Sequence, residues 1–154
     1  MRTERQLSVD WKKAQQEAAR IARWAVIMTK VRIRRVVSRT RWQLVTFYGP
    51  KGGESVGVVD LLAIRKDHRT PPHAAMKRGD ALQIVLIQVK GGRAAKPTAE
   101  DGIRLRAVAR RYSAGQSLLG TWTKGKEVQF HRLQAKASAG NDWTEVHDLN
   151  EIFR

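Results

Sequence analysis

Apolar positions along the chain change their spacing near residue 42, and that change divides it. From Asp10 to about Met28, Trp11, Ala14, Ala18, Ile21, Ala22, Ala25 and Met28 recur at steps of three and four, with Lys12, Lys13, Glu17, Arg20 and Arg23 between them. This spacing predicts an amphipathic helix, with Asp10 as its amino-terminal cap. Lys30–Arg41 alternates basic and β-branched residues and fits a continuation of the helix or a strand equally well. Beyond it come short segments rich in Val, Ile and aromatics, at 42–48, 56–66, 82–90, 118–123 and 127–133, which read as strands. Gly49–Gly53 and Thr123–Lys126 supply hairpin turns for the first and last pairs. A helix is predicted from Ala99 to Tyr112, capped by Thr98, with Asp101 completing a capping box. The remainder, 135–154, reads as a short irregular tail.

This order predicts an α/β fold: a central mixed β-sheet flanked by helices, with a basic amino-terminal helix. The chain has 154 residues, the size of one domain, read as a helical arm (1–41) packed on a core (42–134), with a tail (135–154).

Charge changes the picture. Thirty Lys and Arg against 14 Asp and Glu give a net charge of +16. Residues 1–49 carry 12 basic and 3 acidic side chains, whereas residues 98–154 carry 9 and 7. A polyanion offsets self-repulsion on this scale, and phosphate neutralisation with counterion release makes nucleic acid the leading partner, DNA before RNA. The chain has no cysteine, which excludes disulfides and thiolate metal sites. No apolar run is long enough to span a bilayer and no signal-peptide pattern opens the chain, so no membrane partner is expected, and the expected location is cytoplasmic, at the nucleoid in a bacterium.

Candidate chemistry lies where polar residues interrupt apolar strands. Asp60 breaks Val56–Ile64, and Gln88 and Lys90, two residues apart, share one face of the strand Leu82–Lys90. The segment between the two strands carries Pro71, Pro72 and Gly79, too many breakers for a crossover helix, so the strands should pair antiparallel. If Lys66 lies opposite Leu82, Asp60 falls opposite Gln88, about 5 Å away; with a slip of two positions it faces Lys90 instead, and the same three side chains still cluster. A carboxylate, an amide carbonyl and the Val89 backbone carbonyl are oxygen ligands suited to Mg²⁺ or Mn²⁺. Lys90 could then orient or help deprotonate a water and stabilise charge developing on a phosphate. The plainer alternative is an Asp60–Lys90 ion pair with Gln88 as a hydrogen-bonding neighbour.

Asp60, followed after a hairpin by Gln88-Val89-Lys90 and then a helix, resembles the PD-(D/E)XK nuclease superfamily, in wording close to its Holliday-junction-resolvase-like branch. The resemblance covers about residues 42–134. It implies a metal-dependent endonuclease acting on DNA, with Asp60 and Gln88 as metal ligands and Lys90 assisting catalysis. Family members often dimerise to cut two strands, so a homodimer is left open. Gln88 stands where the family usually has Glu or Asp, and Val59 where it has Pro. The family often adds a further acidic residue, for which Glu54 and Glu17 are the candidates. The competing reading is a non-catalytic nucleic-acid-binding protein with a degenerate nuclease fold. For phosphate contacts the candidates are Arg32, Arg34 and Arg35 on the arm, Arg93 and Lys96 in the loop after Lys90, and Arg104, Arg106, Arg110 and Arg111 on the following helix.

Other signals are weaker. Gly49–Ser55 lacks the residue order of a phosphate loop and reads as a hairpin turn. His68 and His73 lack ligand partners at helical or strand spacing and read as exposed loop residues. Trp11, Trp24, Trp42, Trp122 and Trp143 read as core or interface anchors, with base stacking left open for Trp42 and Trp122.

Overall fold

The computed structural model describes residues 4–49, 56–94, 97–136 and 142–154. Six strands form one mixed sheet whose spatial order is the order of the chain: β1 (Gln43–Thr46), β2 (Leu61–Lys66), β3 (Leu82–Gly91), β4 (Gln116–Trp122), β5 (Gln129–Leu133) and β6 (Trp143–Val146). Every neighbouring pair is antiparallel except β3 and β4, which run parallel because helix α2 (Ala99–Arg111) carries the chain across between them. Helices α1 (Glu4–Val37) and α3 (Asn150–Phe153) pack on one face of the sheet and α2 on the other.

Strand alternation sorts β3 between these layers. Val85, Ile87 and Val89 join the core under α1, while Ile84 and Leu86 join the core under α2 with Leu105. Two glycines let α1 lie close to the sheet. A Cβ on Gly91 would stand 2.9 Å from that of Ala25, and one on Gly120 would stand 3.0 Å from Thr29 Cγ2.

The ambiguous stretch Lys30–Arg41 is helical through Val37, because Ile33 and Val37 continue the core stripe set by Ala25. Asp10 is no cap, since α1 already runs through it from Glu4. From Ser8 to Arg20 every residue is exposed, so roughly 20 Å of helix at about 1.5 Å per residue extends past the sheet. Trp11 and Trp24 are therefore not core anchors: they are 66% and 50% exposed. Trp42 and Trp122 are buried.

The carboxyl-terminal stretch is not irregular. Trp143–Val146 adds the sixth strand to the sheet edge, and α3 buries Ile152 and Phe153. Phe153 is fully buried; its ring meets Trp42 edge to face at 5.5 Å, and its carbonyl accepts from Trp42 Nε1 at 2.9 Å. Both hairpin pairings hold, with Gly125 at φ +82° turning β4 into β5. Most of the Gly49–Ser55 stretch lies outside the described residues.

Candidate functional site

β2 and β3 pair with Lys66 opposite Leu82 and Leu61 opposite Ile87, one of the two registers that the sequence allows. β2 starts at Leu61 rather than Val56, because the ladder ends at Asp60. There the backbone N–H of Asp60 donates to the Ile87 carbonyl (2.9 Å), while its carboxylate accepts the backbone N–H of Val89 at 2.6 Å. A side chain thus replaces the main-chain partner that Val89 would otherwise find on β2. In a strand the N–H and C=O of one residue point to the same side, so the Val89 carbonyl also faces the Asp60 edge.

Gln88 and Lys90 project to the α2 face, where the first turn of that helix meets them. Lys90 Nζ lies 3.2 Å from Asp101 Oδ2, and Gln88 faces the same carboxylate closely enough to help lower its pKa. The ion pair on Lys90 is therefore with Asp101, not with Asp60. Asp101 completes the capping box as expected: Oδ2 accepts from the Thr98 N–H at 3.1 Å, and the Thr98 hydroxyl accepts from the Asp101 N–H at 3.1 Å. Burial alone would raise the Asp101 pKa, but the Thr98 N–H, Lys90 and Gln88 outweigh it and hold the carboxyl below its ordinary value. Reading Asp101 only as a cap missed its second role. The signal was there: only seven residues separate Lys90 from Thr98, so the helix must start beside the end of β3.

Gln88 is 4% exposed, and its Oε1 is buried without a hydrogen-bond partner. That amide oxygen is an acceptor left to be satisfied.

The remaining candidates are scattered. Glu17 is exposed on α1 and accepts from Arg20 at 2.7 Å. Glu54 and Lys96 lie outside the described residues. Among the described residues no group of three or more His, Asp and Glu side chains converges to hold an ion. Arg106 is no phosphate contact. It is 6% exposed, donates from Nε to the Gln134 carbonyl (2.9 Å) and pairs with Asp142 at 2.9 Å, fastening α2 to the chain after β5. Arg93 and Arg104 are exposed near the Lys90 end. Arg110 and Arg111 are exposed in the last turn of α2, roughly 14 Å along the helix from Asp101 at about 1.5 Å per residue. Arg34 and Arg35 are exposed in the last turn of α1, and Arg32 is half-buried; the Asp148 carboxyl is held below its ordinary value chiefly by hydrogen bonds from Asn150, with Arg32 a minor contributor. His68 Nε2 contacts Arg41 Nη1 at 3.0 Å, while His73 Nδ1 accepts the Ala75 N–H.

No protein-family description matches the chain, and no curated protein matches it. Among solved structures the chain is similar to Hjc from Archaeoglobus fulgidus, a Holliday junction resolvase from an archaeal hyperthermophile, at 14% identity and a TM-score of 0.41, over 76% of this chain and 84% of that one.

Proposed function

We propose that the chain binds DNA and hydrolyses its phosphodiester bonds with the help of a divalent cation, at the corner formed by Asp60, Gln88, Val89 and Lys90. One observation carries this reading: the β2–β3 register brings the Asp60 carboxylate onto the Val89 N–H, next to Gln88 and Lys90 on the same strand end. The donor set fits a hard cation, since the Asp60 carboxylate, the Val89 carbonyl and the unpartnered Gln88 Oε1 are all oxygens. With an amide in place of a second carboxylate, the affinity for Mg²⁺ or Mn²⁺ is modest.

When bound, such an ion supplies Lewis acidity toward the scissile phosphate. The chain's own residues do the rest. Lys90 shifts from Asp101 toward a non-bridging phosphate oxygen and stabilises the charge that builds there. In the resting site Asp101 holds Lys90 ready beside the corner, and Arg93 and Arg104, exposed at the same end, position the backbone.

Asp60→Ala and Lys90→Ala should each abolish Mg²⁺- or Mn²⁺-dependent cleavage of DNA while leaving affinity for the same DNA within about threefold, as expected for residues acting on the transition state. Cleavage by both variants would overturn the reading. A second reading, DNA binding without turnover, is favoured by Gln88 standing in for a carboxylate and by the direct Lys90–Asp101 pair. It predicts salt-sensitive binding by wild type and no cleavage under any divalent metal, and Gln88→Glu is then the variant to test for gain of cleavage.

A further inference from the structure

At the other end of the sheet, the chain leaving α1 and the chain leaving β2 come together. Between them lies a cleft of about 640 Å³ lined by Arg39, Arg41, Arg65, Lys66, Arg69 and Arg78, with Asp67 as the one carboxylate among its lining residues. Two of these cations are held rigid. Arg65 lies 4.5 Å over the Trp42 ring, donates to Gln83 Oε1 and bonds the main-chain oxygen of Arg154. Arg69 forms a two-pronged pair with Asp67, at 3.0 Å from Nε to Oδ1 and 2.7 Å from Nη2 to Oδ2, which holds the Asp67 carboxyl down at about 2. Asp67 thus balances Arg69 and leaves the other five uncompensated within the lining. Asp80, in the same loop, accepts the Lys77 N–H. Arg39, Arg41, Lys66 and Arg78 are exposed.

We propose that this cleft is a second site for the phosphodiester backbone of a nucleic acid, separate from the Asp60 corner. Gathering this much like charge costs stability unless a polyanion offsets it, and with the forks of Arg65 and Arg69 taken by their own partners, the exposed side chains of Arg39, Arg41, Lys66 and Arg78 are the ones that meet phosphate oxygens. The cleft lies at the Lys66 end of β2, and the corner just before its Leu61 end. Six residues at about 3.3 Å each put the two roughly 20 Å apart, so one extended nucleic acid could engage both. The proposal rests on the DNA-binding part of the function proposed above, but not on cleavage.

The test compares wild type with the triple variants R39Q/R41Q/R78Q and R39K/R41K/R78K, using fluorescence anisotropy of a labelled 30-base-pair duplex over a series of salt concentrations. The Gln variant should bind about tenfold or more weakly at low salt. Its slope of log affinity against log salt should be shallower by about 2 to 3, near 0.9 for each phosphate no longer neutralised. The Lys variant should keep the wild-type slope, and equal melting temperatures for all three exclude a folding effect. Salt-dependent wild-type binding with an unchanged slope in the Gln variant would overturn the second site and leave the proposed function standing. No binding by wild type would overturn both. If inorganic phosphate displaces the duplex as well, mole for mole, as an unlabelled duplex does, the cleft takes single free anions and the proposal fails.

Discussion

Asp101 is asked to do two things with one carboxylate. It closes the first turn of α2 on the Thr98 N–H, and it pairs with Lys90 at the end of β3. Asp101→Asn keeps the shape but halves the acceptor capacity and removes the charge facing Lys90. Thr98 still caps the helix, so weakening the charge-assisted bond to the Thr98 N–H costs about 1 kcal/mol at most, and the half-buried Lys90 left without its partner adds to it. The pH dependence follows from the direction of the shift. A carboxyl held below its unfolded value stabilises the fold fully above about pH 4 and loses that contribution as the pH falls through the lower folded value. Urea titrations from pH 7 down to pH 2 should therefore show a shallower acid limb in Asp101→Asn than in wild type. An unchanged limb would mean that Asp101 contributes nothing to acid stability. Arg106 is the contrasting case among the charged residues of α2. Arg106→Ala strands Asp142 beside a buried gap and should cost about 3 kcal/mol or more in chemical denaturation, while leaving the salt slope of DNA binding unchanged. The sequence shows four arginines on α2 but not which one faces inward; that depends on where the chain after β5 crosses the helix.

Elements were legible in proportion to how local their signals are. The antiparallel pairing of β2 with β3 could be read in advance because breakers between 67 and 81 forbid a helix and leave one short antiparallel return; of the two registers the sequence allowed, the structure has Lys66 opposite Leu82. The capping box of α2 could be read because all its atoms lie within four residues. β6 and α3 could not be read so easily. Their apolar positions, Trp143, Val146, Ile152 and Phe153, are few and acquire meaning only from partners on β5 and at Trp42, far away in sequence. Helix α1 was legible as a helix but not in its exposure, since its apolar stripe continues beyond the point where the sheet stops. Packing rather than propensity supplies most helical stability in proteins. Amide exchange should accordingly be much faster from Ser8 to Arg20 than from Ile21 to Val37, and equal protection along the whole helix would show that something covers its first half.

Across the whole molecule, charge and chemistry are laid out along the strand direction. The Asp60 corner stands at one end of β2 and the arginine cleft at the other, with α1 and α2 running between the two ends on opposite faces of the sheet. Gly91 is where the α1 layer touches the corner, because the residue directly after Lys90 meets Ile21 and Ala25. Gly91→Ala should push α1 away from β3 and cost about 1 to 3 kcal/mol by overpacking, with a larger loss of any DNA cleavage than of DNA binding. Net charge was fully legible in the sequence. Its division into a buried tie, a balanced pair and an open cleft was not, because Arg39–Arg41 and Arg65–Arg78 become neighbours only when α1 and β2 end at the same edge.

A sheet whose spatial order equals its chain order can be assembled by adding each strand to the one before, so most of its pairings close short loops, and such topologies fold quickly. The seat of Phe153 against Trp42 is a far more distant contact, joining residues 111 apart. Until residues 149–153 are present and docked, the start of β1 lacks one wall of its core. The contact is therefore expected to close late in folding. Phe153→Ala should cost about 3 to 5 kcal/mol and raise the unfolding rate far more than it lowers the folding rate, with Trp42 fluorescence reporting the closing step.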